Sequence, residues 1–170
     1  MKKIPILAPS YDSPYDPPRT RILRGRSGRI MRAVVATIAP RNAVIDIDLN
    51  ERNYNFAENF IAYLPGYLRK IFPLGLWILE VMALFEGGEW RVFSRMKDPE
   101  KKFRYLVAWS QSRLFFRREL IKGIRAIVLC GFYNHPDVWK QIHYDPQRWA
   151  ALKRQERLEK YGKELERTSV

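Results

Sequence analysis

The chain has 170 residues, 46% of them hydrophobic and 14% aromatic, with a formal net charge of +13 at pH 7. That length suits one domain and that apolar content suits a real core, which excludes a wholly disordered chain; the single cysteine, Cys130, excludes a disulfide-stapled secreted fold. The charge bears on partners, because nucleic acid, an anionic membrane surface and an acidic protein would all attract it.

Five prolines fall in residues 1–18, among Ser, Tyr and Asp, and they forbid a helix and favour extended chain. The start, Met1-Lys2-Lys3-Ile4-Pro5-Ile6-Leu7, has the basic opening of a signal peptide, but proline breaks an apolar stretch that is already too short. The expected location is cytoplasmic, with export on a partner left open. Such an arm either stays disordered or orders on a partner, with Tyr11 and Tyr15 as anchors. Arg19, Arg21, Arg24, Arg26, Arg29 and Arg32 follow. Guanidinium groups pair with carboxylates and phosphates at two points, so the run reads as an electrostatic clamp. A short helix is expected from residue 28 until just before Pro40. Val44-Ile45-Asp46-Ile47-Asp48-Leu49 alternates as a strand does, with no evident partner strand. Asp46 and Asp48 would then share a face, either as a carboxylate pair or as exposed residues beside a turn.

With Asn50 or Asn53 as cap, a helix to about Leu64 would place Phe56, Phe60, Ile61 and Leu64 on one face. Pro65-Gly66 ends it. A helical pattern resumes over 67–72, and Pro73 then starts an apolar helix over 74–85 that Gly87-Gly88 terminate. The longest uncharged run here, residues 71–79, is shorter than the roughly 20 apolar residues of a membrane-spanning helix. A core helix or a partner-facing one is expected instead. Residues 90–96 predict a short helix. Asp98-Pro99-Glu100 combines an N-cap, a first-turn proline and an acid at the positive helix end. The helix it starts is expected to reach about Leu120, with Phe103, Leu106, Val107, Ser110 and Leu114 as its apolar stripe.

Another helix is expected over 122–132, continuous with the last or bent near Gly123, with Cys130 as a small buried hydrophobe. His135 suits the cap of a short helix over 136–142, and His143 a turn. Asp145-Pro146 launches a last, mostly charged helix over 147–167, with Leu152, Leu158, Tyr161 and Leu165 as a thin apolar seam. It projects from the body or lies along another chain. The expected fold is mainly α: an irregular helical bundle with an extended Pro-rich N-terminal arm and a long charged C-terminal helix. Its divisions are a basic arm over 1–27, a helical domain over 28–146 and the charged helix over 147–170.

Motifs for chemistry are sparse. His135, His143 and Cys130 lack the spacing of a metal site. Gly25-Arg26-Ser27-Gly28-Arg29 lacks the phosphate-loop pattern, and Gly87-Gly88 lacks that of a dinucleotide site. Ser94, Ser110 and Ser112 have no histidine near them in sequence and no nucleophile elbow around them. No catalytic, cofactor-binding or metal-binding residue is therefore assigned. What stands out is basic residues interleaved with aromatics, in Trp90-Arg91-Val92-Phe93 and Arg113-Leu114-Phe115-Phe116-Arg117-Arg118. These could follow a nucleic-acid backbone while stacking bases, grip an acidic protein, or form the solvated rim of a core helix.

One stretch resembles a known family. Phe85, Phe93-Ser94, Phe103, Leu106, Trp109-Ser110, Arg113, Arg117-Arg118 and Gly123 lead to Phe132-Tyr133-Asn134-His135-Pro136-Asp137-Val138-Trp139-Lys140-Gln141-Ile142-His143-Tyr144-Asp145. Over residues 64–149 this resembles the helical small subunit, or N-terminal helical region, of flavin-dependent glucose–methanol–choline oxidoreductases, and it is similar to the gluconate 2-dehydrogenase subunit 3 group. The chain departs from the pattern at His143, where glycine is expected, and at Pro146, which follows Asp145 directly where Gly-Pro is expected. The resemblance implies a hetero-oligomer in which FAD and the chemistry belong to a larger flavoprotein subunit, and this chain, without a cofactor, packs on it as a non-catalytic accessory subunit. The expected contact residues are Tyr11, Tyr15, Trp90, Phe93, Trp109, Tyr133, Trp139 and Tyr144, with Arg19, Arg21, Arg24 and Arg26 as clamp; Trp109 and Trp139 have the strongest claim to be core instead. Two other functions compete: a nucleic-acid-binding or ribonucleoprotein module, and a peripheral membrane protein held through residues 71–85.

Overall fold

A computed structural model describes residues 14–18, 21–39 and 47–168. The chain is mainly α. Among the described residues there are seven α-helices and one 3-10 turn: α1 (Arg26–Ile38), α2 (Asn50–Ala62), α3 (Gly66–Glu86), the turn Phe93–Arg95, α4 (Pro99–Ser110), α5 (Phe115–Tyr133), α6 (Pro136–Gln141) and α7 (Pro146–Thr168).

The centre of the bundle is α1, on which α2, α3, the 3-10 turn, α4 and α5 all pack. Its Ile30, Met31, Val34 and Val35 are wholly buried. Half of the expected basic clamp is thus the start of the central helix. Arg32 reaches Glu51 at 2.8 Å and lies over the Tyr54 ring. Arg26 stacks on Trp77, 5.3 Å from the ring centre, with the buried Glu80 carboxylate 3.9 Å from its Nε.

Two buried carboxylates tie irregular chain to the bundle. Glu58 on α2 accepts the N–H groups of Ile22 and Leu23 and the Tyr54 hydroxyl. Glu80 on α3 accepts the Ser94 N–H at 2.8 Å and its hydroxyl at 2.6 Å. Each satisfies backbone N–H groups that would otherwise be orphaned, a loss of about 1–3 kcal/mol per group.

Several expectations need correction. Neither Asn50 nor Asn53 caps α2: Leu49 holds the N-cap position, and the Asp48 carboxylate just before it accepts the Asn50 N–H at 3.0 Å. Asn53 lies inside the helix, buried, donating to Val128 O at 3.1 Å. Phe60 is exposed, because α2 turns Tyr54, Ala57, Glu58 and Ile61 inward: hydrogen bonds to neighbouring segments outweigh its simple apolar pattern. Pro73 does not start a helix but sits inside α3. It forfeits a single backbone bond, while Leu76, Leu79 and Ala83 bury fully on the inner face.

The helix from Pro99 stops at Ser110, well short of Leu120, and residues 111–114 turn the chain so that α5 packs back on α4. Its buried residues are Tyr105, Leu106 and Trp109; Phe103 and Leu114 of the expected stripe are exposed. The helix α5 runs unbroken past Gly123, and Cys130 on it is exposed, not buried. Residues 90–96 form only the 3-10 turn. Of the expected strand, residues 47–49 have no regular structure, and 44–46, including Asp46, lie outside the described residues.

The end signals at Asp98, His135 and Asp145 act as expected. Asp98 accepts the N–H groups of Glu100 and Lys101, His135 that of Asp137, and Asp145 those of Gln147 and Arg148. Side chains 147–161 of α7 are all exposed.

Candidate functional site

Among the described residues a broad apolar surface lies exposed on the outer side of α3. On α3, Tyr67 (64% exposed), Ile71 (45%), Leu74 (57%) and Phe85 (71%) face outward, with half-buried Ile78 and Val81 between them. Beside its N-terminal half runs a groove of about 510 Å³, lined by Phe60 of α2, Leu64 just beyond it, Leu68 and Phe72 of α3, and Phe116, Leu120 and Cys130 of α5. Glu119 is the charged residue of that lining. Where the two walls come closest, an added Cβ at Gly75 would meet Leu120 at 2.9 Å. Contiguous exposed apolar surface of this kind marks an interaction site, because leaving it in water is unfavourable in proportion to its area. Lys122 pairs with Glu119 at 2.8 Å, and the Arg26 guanidinium lies over the exposed Trp77 ring.

The aromatic and arginine residues singled out from sequence divide into groups. Tyr11 and Arg19 lie outside the described residues. Tyr15 docks on its own chain: its hydroxyl donates to Gly131 O at 2.9 Å, and its ring stacks on Phe56 and meets His135 edge-on. Burial pushes its pKa up to about 12, so it remains a donor. Asn55 and Asn59 fasten the backbone of residues 14–16 to α2. Phe93 and Trp109 are core, 0% and 1% exposed. Arg21, Arg24 and Arg26 are exposed, with Arg24 Nε donating to Arg21 O. Trp90 is exposed, at a positive φ of 52°. The fold brings Tyr133, Trp139 and Tyr144 together: Trp139 Nε1 donates to Tyr133 O at 2.6 Å, and its ring meets Tyr144 edge-on at 6.2 Å.

The interleaved basic and aromatic runs are divided: Phe93, Arg117 and Arg118 are engaged within the chain, whereas Trp90, Arg91, Arg113, Leu114, Phe115 and Phe116 are exposed. Arg117 forms a two-point pair with Glu86, both bonds 3.0 Å, above the Trp109 ring. Arg118 donates to the carbonyls of Ser112 and Arg113. Phe115 remains open, 71% exposed.

The reactive side chains are also committed. Ser94 is bound to Glu80. His135 has Nδ1 accepting the Asp137 N–H and Nε2 3.1 Å from Arg52 Nη1. Among the described residues no group of three or more His, Cys, Asp or Glu side chains is placed to hold a metal ion, and no helix is long and apolar enough to cross a membrane.

The outer face of α3 is the element that sequence reasoning left undecided between core and partner-facing. Its periodic signal was present, but α3 is apolar nearly all round, so periodicity could not say which side the bundle would cover. Comparison with protein-family models, characterised proteins and solved structures finds no match for this chain.

Proposed function

We propose that this chain is a non-catalytic accessory subunit that packs on and stabilises a larger partner protein through the open face of α3 and its adjoining groove. The carrying observation is that exposed apolar surface on a chain whose charge is +13. Apolar area gives a partner its affinity, and the net charge of +13 favours an acidic one. A second copy fits less well, since two chains each carrying +13 repel. The resemblance over residues 64–149 supplies the partner class, a flavin-dependent oxidoreductase whose large subunit holds FAD.

Purification of the tagged chain from its native host tests this. The expected result is a stoichiometric complex with a larger protein that shows flavin absorbance. Recovery of the chain as a stable monomer, free of any flavoprotein, overturns the proposal.

A further inference from the structure

The groove beside α3 has Phe60, Phe72, Phe115 and Phe116 in its walls, with aliphatic side chains between them. One end of it lies where the start of the described chain is fastened. Asn59 Nδ2 donates to Pro14 O at 2.9 Å, and Asn59 is the immediate neighbour of Phe60. The Tyr15 hydroxyl donates to Gly131 O, next to Cys130 of the lining. The Tyr15 ring stacks on Phe56 at 5.5 Å, and Phe56 stacks on Phe60 at 6.3 Å. Residue 14 therefore stands at the Cys130 end of the groove. Residues 1–13 lie outside the described residues; their sequence includes Ile4-Pro5-Ile6-Leu7-Ala8-Pro9, which is apolar throughout.

We propose that this groove receives the apolar segment Ile4-Pro5-Ile6-Leu7-Ala8-Pro9 of the chain's own N-terminal arm. Reach is sufficient. The stretch from Pro14 back to Ile4 spans up to about 33 Å when extended. The groove follows α5 from Cys130 to Phe115, about 22 Å at roughly 1.5 Å per residue. The chemistry also fits. Proline-bearing segments dock in aromatic-lined grooves because their backbone is already restricted and loses little entropy on binding. Pro5 and Pro9 have no N–H to leave unsatisfied against apolar walls. Tethering at Pro14 holds the segment at a high effective concentration, which favours it over a free apolar molecule or a second copy. Glu119, the charged residue of the lining, is already paired with Lys122, so apolar contact and not charge carries the docking. The inference goes beyond the accessory function: the surface offered to a partner is then the outer face of α3 with the arm beside it.

The single cysteine reports on occupancy, because Cys130 lines the groove at the end where the arm enters and its thiol is otherwise exposed. N-ethylmaleimide, a neutral reagent, should label the full chain about tenfold more slowly than the variant Ile4→Ser/Ile6→Ser/Leu7→Ser, the ratio for an arm docked about nine-tenths of the time. The conservative variant Ile4→Val/Ile6→Val/Leu7→Met should keep the protection. A synthetic peptide of residues 1–13, added in excess to the serine variant, should slow its labelling again, whereas the same peptide with the three serines should not. That rescue, with circular dichroism, separates release of the arm from loss of the fold. Equal labelling of the full chain and the serine variant overturns the inference, as does a peptide without effect. Protection that fades on dilution, together with a dimer mass, places the arm in a second copy and also overturns it. If protection is as expected but no flavoprotein accompanies the native chain, the docked arm stands and the accessory function falls. A flavoprotein complex together with equal labelling of the free chains gives the reverse.

Discussion

At the scale of single residues, close approach decides more than chemical type. A Cβ added at Gly131 would lie against Asn53 Oδ1 and 2.6 Å from Phe56, where α2 and α5 pack together. Gly131→Ala should therefore destabilise the chain by about 1–3 kcal/mol, the usual range for overpacking. Gly123 is on the same helix with nothing within 4 Å of such a Cβ, and Gly123→Ala should stabilise by about 0.5–1 kcal/mol through helix propensity alone. Thermal unfolding of the pair checks both signs.

His135 gives a pH dependence. Burial holds its pKa below the ordinary value of 6.5, and Arg52 and Lys140 act in the same direction while Asp137 opposes them. The unfolded chain therefore takes up a proton near pH 6.5 and the folded chain only below it. Stability attributable to this group is present above about pH 6.5 and falls as pH drops through the window beneath. Urea midpoints measured at descending pH should fall less steeply for His135→Gln than for the unmodified chain.

At the scale of elements, starts marked by a local cap and stops marked by proline or glycine were legible, and boundaries that depend on packing were not. Asp98, His135 and Asp145 cap because a side-chain oxygen or ring nitrogen two or three residues from an orphaned N–H needs no tertiary partner to reach it. The stop at Ser110 and the passage of α3 through Pro73 depend on what packs alongside, which local sequence does not encode. The turn between α6 and α7 holds His143 at a φ of 53°, a left-handed conformation that costs a residue with a Cβ about 1–2 kcal/mol. His143→Gly should raise the unfolding midpoint by about 2–4 °C per kcal/mol regained. The helix α7 itself buries none of the side chains from Gln147 to Tyr161, so a chain ending at Pro146 should keep its midpoint within about 1–2 °C of the full-length value. A larger fall would mean that α7 supports the body.

At the scale of the whole molecule, the net charge of +13 must be separated from any specific use of it. A chain this basic will hold nucleic acid weakly at low salt by counterion release alone. Base stacking would add affinity that survives salt; Trp90, Phe115 and Phe116 are exposed, but Phe93 is buried and Arg117 and Arg118 are engaged within the chain, so neither basic–aromatic run is open along its length. A salt titration with single-stranded RNA should therefore show binding that vanishes by physiological ionic strength; saturable binding that persists there would favour the nucleic-acid function instead. Composition and periodicity determined by themselves that the chain is mainly α, where most helices begin, and that it is strongly basic, because each of these follows from local propensity or simple addition of charges. Only the tertiary structure decided that Tyr15 and Phe93 face inward while Phe60, Cys130, Tyr67, Leu74 and Phe85 face outward. A helix apolar on every side can turn any of its faces to the core, and the choice is made by the central α1 and by the buried carboxylates Glu58 and Glu80, whose backbone partners lie far from them in sequence.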